Sequence, residues 1–288
     1  MIHPDLQLVR QLNANSAPYR DPSGQLPWER LSADAMWLPR QALSLHGVAE
    51  FEALSPAHAV RLSHYEFIGF LRAGLWLEGL FMQRLSRCLS STEGIADYAY
   101  LLNEIREEAG HSLMFLDLME KSGLALPRLV GGQPWLADFL GRHAPLGGTL
   151  FWLAVNMGEE IPDKLNRYLR SCDEAELNPV IREMIRLHIV DEARHIAYAR
   201  QRLEAALDKA GAAHKKLLAP AVRLLLRQFV RTFYLPGADL YELAGLTPGR
   251  RWRALAQANP VWREFVSTLI APTLRLLEGH GFSVGEVM

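Results

Sequence analysis

The 288 residues are 49% hydrophobic and 22% charged, enough to bury a substantial core, and the helical patterning favours a single domain over residues 1–288. With 31 basic residues against 32 acidic ones, the formal net charge of −1 excludes a whole-molecule field that would gather nucleic acid or an anionic membrane. Cys88 and Cys172 have neither the spacing of a zinc cluster nor that of a redox pair, so they read as buried thiols of a reducing, cytoplasmic setting.

Residues 1–54 hold Pro4, Pro18, Pro22, Pro27 and Pro39 among short apolar patches such as LPWERL, the pattern of an arm draped over a core. The N-terminus lacks the apolar stretch of a signal peptide, which again fits a cytoplasmic protein. A first helix is expected from Ser55 as N-cap and Pro56 at the first helical position to about Ser90. Its most apolar run, Phe67 to Met82, is broken by Arg72 and Glu78 and is too short to span a bilayer, so no membrane partner is expected.

The SSTEG segment ends that helix, and a second follows from about Ile95 to Lys121, closed by Ser122-Gly123. A Gly/Pro-rich connection (LPRLVGGQPW, then HAPLGG) leads to a third helix from about Thr149 to Ser171, and DEAELNP turns the chain into a fourth from about Val180 to Leu207. Two further helical stretches, about Ala213 to Tyr234 and Asn259 to Gly279, fall in residues 208–288. Two helical hairpins joined by a long connection define an all-α, four-helix bundle with one crossover in residues 55–207, with additional C-terminal helices.

The chemistry lies in a doubled pattern. Helix two carries Glu107-Glu108-Ala109-Gly110-His111 and helix four carries Asp191-Glu192-Ala193-Arg194-His195. A Glu and a His three apart share a helix face and reach one metal ion from a single rigid element. Both pairs fall on stripes expected to face the core, where an ionised carboxylate is costly unless paired or bound to metal.

A dinuclear carboxylate site of this kind also needs one Glu from each remaining helix. Folding helices one and two about Thr92 or Glu93 sets Glu78 level with Glu108 and leaves Glu66 far down the hairpin. Folding helices three and four about Ala175 brings Glu159 and Glu160 level with the second motif. Either can reach, and Glu160 is the expected ligand because it shares its face with Leu153, Met157 and Tyr168, whereas Glu159 lies nearer Asp163 and Asn166. Glu107 and Asp191, each one residue before a ligand Glu, are placed to hold the free ring N–H of the opposite histidine, Glu107 that of His195 and Asp191 that of His111. Pro162, two residues beyond Glu160, removes a backbone donor and predicts a local distortion of helix three.

EEAGH at 107–111, GEEIPD at 158–163 and above all HIVDEARHIAYAR at 188–200 resemble the p-aminobenzoate N-oxygenase family of ferritin-like di-iron oxygenases, over about Leu54 to Leu207. In that family the helix-four motif is extended to His-x-x-x-Glu-x-x-His, which His188, Glu192 and His195 match position for position. Together with the ligands read from helix level and face, this gives seven expected ligands, Glu78, Glu108, His111, Glu160 (with Glu159 the alternative), His188, Glu192 and His195, and the resemblance implies that they hold two iron ions, with an iron and a manganese ion as the variant. It also implies dioxygen as co-substrate, an external electron donor or electron-transfer protein, and oxidation of a small amine or aromatic substrate at nitrogen. Hydroxylation, oxidative cleavage and simple ferroxidation are the alternatives, and a homodimer is compatible with all of them. Tyr65, Trp76, Phe81, Phe115, Trp152, Asn156 and Met157 are the expected walls of an apolar pocket.

Overall fold

The computed structural model describes residues 6–129, 133–146, 148–285 and 287; Pro4 of the arm, and Gly131, Gly132 and Gly147 of the middle connection, lie outside the described residues. In chain order its α-helices are α1 (Leu6–Ser16), α2 (Ala49–Glu52), α3 (Pro56–Leu89), α4 (Ile95–Lys121), α5 (Trp135–His143), α6 (Thr149–Ser171), α7 (Pro179–Leu207), α8 (Ala212–Tyr234), α9 (Ala238–Leu243), α10 (Gly249–Ala258) and α11 (Pro260–Gly279). The described residues form no strand.

Helix α3 packs along α4, and α6 along α7, so the two hairpins form as the short breaks at 90–94 and 172–178 require. The ends follow local chemistry. Pro56 opens α3 from an extended Ser55, although the Ser55 hydroxyl bonds the His58 ring at 3.0 Å rather than capping the backbone. Asn178 caps α7 by accepting from the Val180 N–H at 2.9 Å, with Pro179 at the first position. Helix α6 runs through Pro162 without interruption, and the neighbouring Ile161 carbonyl accepts a 2.6 Å bond from the Tyr234 hydroxyl of α8.

The arm is tied down by polar contacts as well as by its buried Trp37, Leu43 and Leu45. The Trp37 amide donates to the Ser63 hydroxyl at 3.1 Å, and the Asn178 amide donates to the Met36 carbonyl at 2.8 Å. The C-terminal helices wrap the third bundle helix, α8 and α11 both packing on α6, and together they bury Val222, Leu226, Phe229, Val266 and Ile270.

Candidate metal centre

Four bundle helices deliver seven side chains to one buried place. Their donor atoms fall into two groups, Glu78, His111 and His188 in one, and Glu108, Glu159, Glu192 and His195 in the other, with the atoms of each group within 4.8 Å of one another. Glu78 comes from α3, Glu108 and His111 from α4, Glu159 from α6, and His188, Glu192 and His195 from α7. Glu108 and Glu192 lie between the groups. Glu192 Oε1 is 3.5 Å from His111 Nδ1, 3.3 Å from His188 Nε2 and 3.6 Å from His195 Nδ1. Glu108 is 3.9 Å from His111 Nδ1 and 3.3 Å from His195 Nδ1.

A surrounding layer orients these groups. His195 Nε2 lies 3.0 Å from Glu107 and His111 Nε2 lies 3.1 Å from Asp191, so both rings turn Nδ1 toward the cluster. Arg194 bonds both acids, Glu107 at 2.8 Å and Asp191 at 2.5 Å, and joins the two supports into one network. Ser112 donates to Glu78 at 2.6 Å, and the Asn166 amide lies 3.0 Å from His188 Nδ1. Sequence reasoning missed Arg194, Ser112 and Asn166. The signal was there for the first two, each adjacent to a motif histidine.

Glu160, expected as a ligand, does not join the cluster. Its carboxylate accepts from Arg200 at 2.7 Å and from the Thr273 hydroxyl of α11 at 3.0 Å, with Lys164 at 3.5 Å. The polar side of α6 holds the interior position instead: Glu159, Asp163 and Asn166 are all nearly inaccessible, at 3%, 1% and 2% exposure. Apolar neighbours are a poor guide here because the bundle interior at this level is polar, while the apolar side of α6 packs on α8 and α11.

The electrostatics of the cluster are those of a site built for cations. Burial disfavours the His111 charge, yet the bonds to Asp191 and Glu108 and the charges of Glu78 and Glu192 raise its pKa to about 10. His195 is likewise raised, against burial, by Glu107, Glu108 and Glu192. Burial, then the charges of Glu192 and Glu108, push the Glu159 carboxyl well up. Burial also pushes up Glu192, but His188, His195 and His111 outweigh it and hold that carboxyl below the usual range. Both Glu108 oxygens, His111 Nδ1, His188 Nε2 and His195 Nδ1 are buried without a hydrogen-bond partner. Such orphaned donors and acceptors are costly unless something coordinates them. Four carboxylates in the two groups also match the charge of two divalent ions, so the residues fit a dinuclear centre.

A cavity of about 30 Å³ adjoins the cluster, bordered by Phe81 and Phe115 among others. A second, of about 340 Å³, is bordered by Phe81, Trp152 and His195, and a third, of about 830 Å³, includes Trp76. Tyr65, Asn156 and Met157, also expected as pocket walls, are buried and border none of these three.

A four-helix bundle presenting two Glu-x-x-His pairs and single glutamates from the other helices is the ferritin-like arrangement of dinuclear carboxylate proteins. Residues 7–281 match the family described as p-aminobenzoate N-oxygenase AurF, and the chain belongs to that family. It is an oxygen-dependent oxidoreductase with a dinuclear metal centre. It is similar to two mycobacterial proteins described as uncharacterized. MT0908 of Mycobacterium tuberculosis is 22% identical over 92% of this chain and 71% of its own, and Mb0909 of Mycobacterium bovis is 21% identical over the same shares. Among solved structures, a mutant R2-like ligand-binding oxidase with an anaerobically reconstituted Mn/Fe cofactor aligns with a TM-score of 0.49 at 15% identity, covering 97% of this chain and 93% of that one. No helix among the described residues is long and apolar enough to cross a membrane.

Proposed function

We propose that Glu78, Glu108, His111, Glu159, His188, Glu192 and His195 hold two metal ions, both iron or one iron and one manganese, and that the enzyme oxidises the nitrogen of a small amine. Bound there, such a pair supplies the reduction of dioxygen, with electrons from an external donor. The observation that carries the reading is His188. Its Nε2 lies 3.6 Å from Glu78 and 3.3 Å from Glu192, a third imidazole beyond the two that a doubled Glu-x-x-His motif supplies. An additional neutral nitrogen in the group of Glu78 and His111 makes the two metal positions unequal and the whole less anionic.

The protein's own groups have separable tasks. Glu108 and Glu192 stand where a carboxylate can span two ions, while Glu107 and Asp191 fix which imidazole nitrogen faces inward. The Asn166 amide nitrogen, 3.0 Å from His188 Nδ1, holds that ring with Nε2 turned toward Glu78 and Glu192. Phe70, Phe81, Phe115 and Phe233 border the small cavity and keep bulk water from it.

The test is metal analysis followed by single turnover of the reduced, iron-loaded protein with oxygen and p-aminobenzoate or a panel of arylamines. Two metal ions per chain and a hydroxylamine or nitro product are expected, with His188→Ala keeping the metals and losing the product. Oxygen uptake with every amine recovered unchanged would reject N-oxygenation and leave the dinuclear centre in place.

A further inference from the structure

The 30 Å³ beside the cluster is too small for an organic substrate, which ordinarily needs a pocket of several hundred Å³. Two larger cavities share walls with it. The 340 Å³ cavity shares Phe81, but its two arginines are already engaged: Arg84 donates to the Arg142 and Ala144 carbonyls, and Arg202 to the Tyr198 hydroxyl. The 830 Å³ cavity shares Phe70 and Phe233, whose rings meet edge to face at 5.7 Å and form a thin partition toward the cluster.

Five arginines border this cavity, Arg72, Arg128, Arg231, Arg250 and Arg253, against two acids, Asp239 and Glu66. Asp239 is bound to Arg72 at 2.9 Å. Glu66 is turned to Ser44, accepting its hydroxyl at 2.5 Å and its amide at 3.1 Å, and burial raises its pKa to about 7. Five positive groups less two acids leave an excess of at least three. Arg72 is further steadied by the Arg128 carbonyl at 3.3 Å and Arg253 by the Pro236 carbonyl at 3.1 Å. The guanidinium groups of Arg128, Arg231 and Arg250 have no protein acceptor among the described residues.

We propose that this cavity binds a phosphate-type dianionic group of the enzyme's organic substrate, whose apolar body lies against Phe70 and Phe233 on the way to the metals. Only the word substrate rests on the reading of function above. The chemistry selects the group. Guanidinium forks pair bidentately with phosphate oxygens, and like charges gathered around one cavity repel until an anion joins them. One carboxylate would satisfy one fork and leave the excess largely standing, whereas a dianion spans several. The volume admits such a group together with an aromatic body.

The test uses the metal-loaded protein without oxygen or turnover, titrated calorimetrically with p-aminophenyl phosphate, aniline and inorganic phosphate. The aryl phosphate is expected to bind at least about tenfold more tightly than aniline, to weaken with added salt, and to be displaced by inorganic phosphate. Arg231 and Arg250 are exposed, so Arg231→Gln with Arg250→Gln leaves metal content and unfolding temperature unchanged. The double variant is expected to lose about tenfold or more in aryl phosphate affinity with aniline unaffected, and lysine at both positions to recover part of the loss. Equal binding of aryl phosphate and aniline by the unaltered protein would overturn the proposal, as would a preference for phosphate that survives both glutamines. An aryl phosphate that binds with this arginine signature yet is not oxidised rejects N-oxygenation and supports the site. Oxidation of both amines with the same KM before and after the double substitution does the reverse.

Discussion

Neighbouring residues on an α-helix point about 100° apart, so Glu159 and Glu160 cannot both reach the bundle interior. The sequence shows both acids at the right level, but which one faces inward depends on what packs against each side of α6, and those partners lie in α8 and α11, distant in the chain. Glu159→Ala is therefore expected to remove at least one metal ion per chain, read by elemental analysis. Glu160→Gln is expected to keep both ions and to destabilise the fold by about 1–3 kcal/mol, because Arg200, Lys164 and Thr273 lose a charged partner. Metal lost with Glu160→Gln and kept with Glu159→Ala would reverse the assignment. The doubled motif was legible because period and residue type together carry it, whereas Asn166 was not, since nothing in its own neighbourhood marks its contact with His188. Asp191 lies between those cases. Its place beside Glu192 suggests a role, and the structure ties it to His111 at 3.1 Å and to Arg194 at 2.5 Å. Asp191→Ala is expected to weaken metal affinity about 10- to 100-fold in a chelator competition while the far-ultraviolet dichroism stays that of the parent. An unchanged affinity would reduce Asp191 to a partner of Arg194.

At the level of helices, the long periodic segments were readable to within a residue or two, as with α4 over Ile95–Lys121 and α6 over Thr149–Ser171. The short ones were not. Helix α5 sits within a connection whose Gly and Pro content reads as loop, and α1 within a proline-rich arm; both depend on packing, α5 against α3 and α8, α1 against α4. Glu66 shows how such an arm is fastened. It sits on α3, bonds Ser44 of the arm, and through the Ser44 hydroxyl at 2.7 Å connects to Tyr241 of α9. Burial raises its carboxyl pKa to about 7 from an ordinary value near 4.5, so the folded state favours the protonated form. The stabilising effect of that proton is complete below about pH 4.5 and is lost as pH rises through about 7, a change of about 3 kcal/mol. Glu66→Gln keeps a neutral acceptor for Ser44 and is expected to flatten the fall in stability between pH 5 and 8, measured by denaturant unfolding across that range. A parent protein already flat over the range would contradict a buried, neutral Glu66.

Taken as one molecule, the chain is nearly uncharged overall yet concentrates acids where the bundle is driest: Glu78, Glu104, Glu107, Glu108, Glu159 and Glu192 are all buried. Apolar burial along the long helices must overcome this concentration when no metal is present. The orphaned Nδ1 atoms of His111 and His195 and both Glu108 oxygens then stay without partners, each a desolvated polar group. Metal binding supplies those partners only in the folded state, so its free energy adds to folding, by about 2.7 kcal/mol at a free concentration 100 times the dissociation constant. Chelation is thus expected to lower the unfolding temperature by several degrees while the helical dichroism at low temperature persists, because the packed faces of α3, α4, α6 and α7 do not depend on the ions. The dependence on concentration separates this from a general salt effect. With ferrous or manganous ion in excess, stability should rise by about 1.4 kcal/mol for each tenfold step in free metal per ion bound. Magnesium, which prefers a shell of oxygen and water ligands to imidazole, should give a much smaller slope. Replacing Glu159 with Ala should reduce the ferrous slope toward that of one ion in scanning calorimetry of the chelated and reloaded protein, whereas His188→Ala should leave it near that of two. An unfolding temperature indifferent to chelator, or equal slopes for magnesium and iron, would mean that the buried acids are held by protons and neighbouring cations, and the reading of these seven side chains as a metal centre would fail with them.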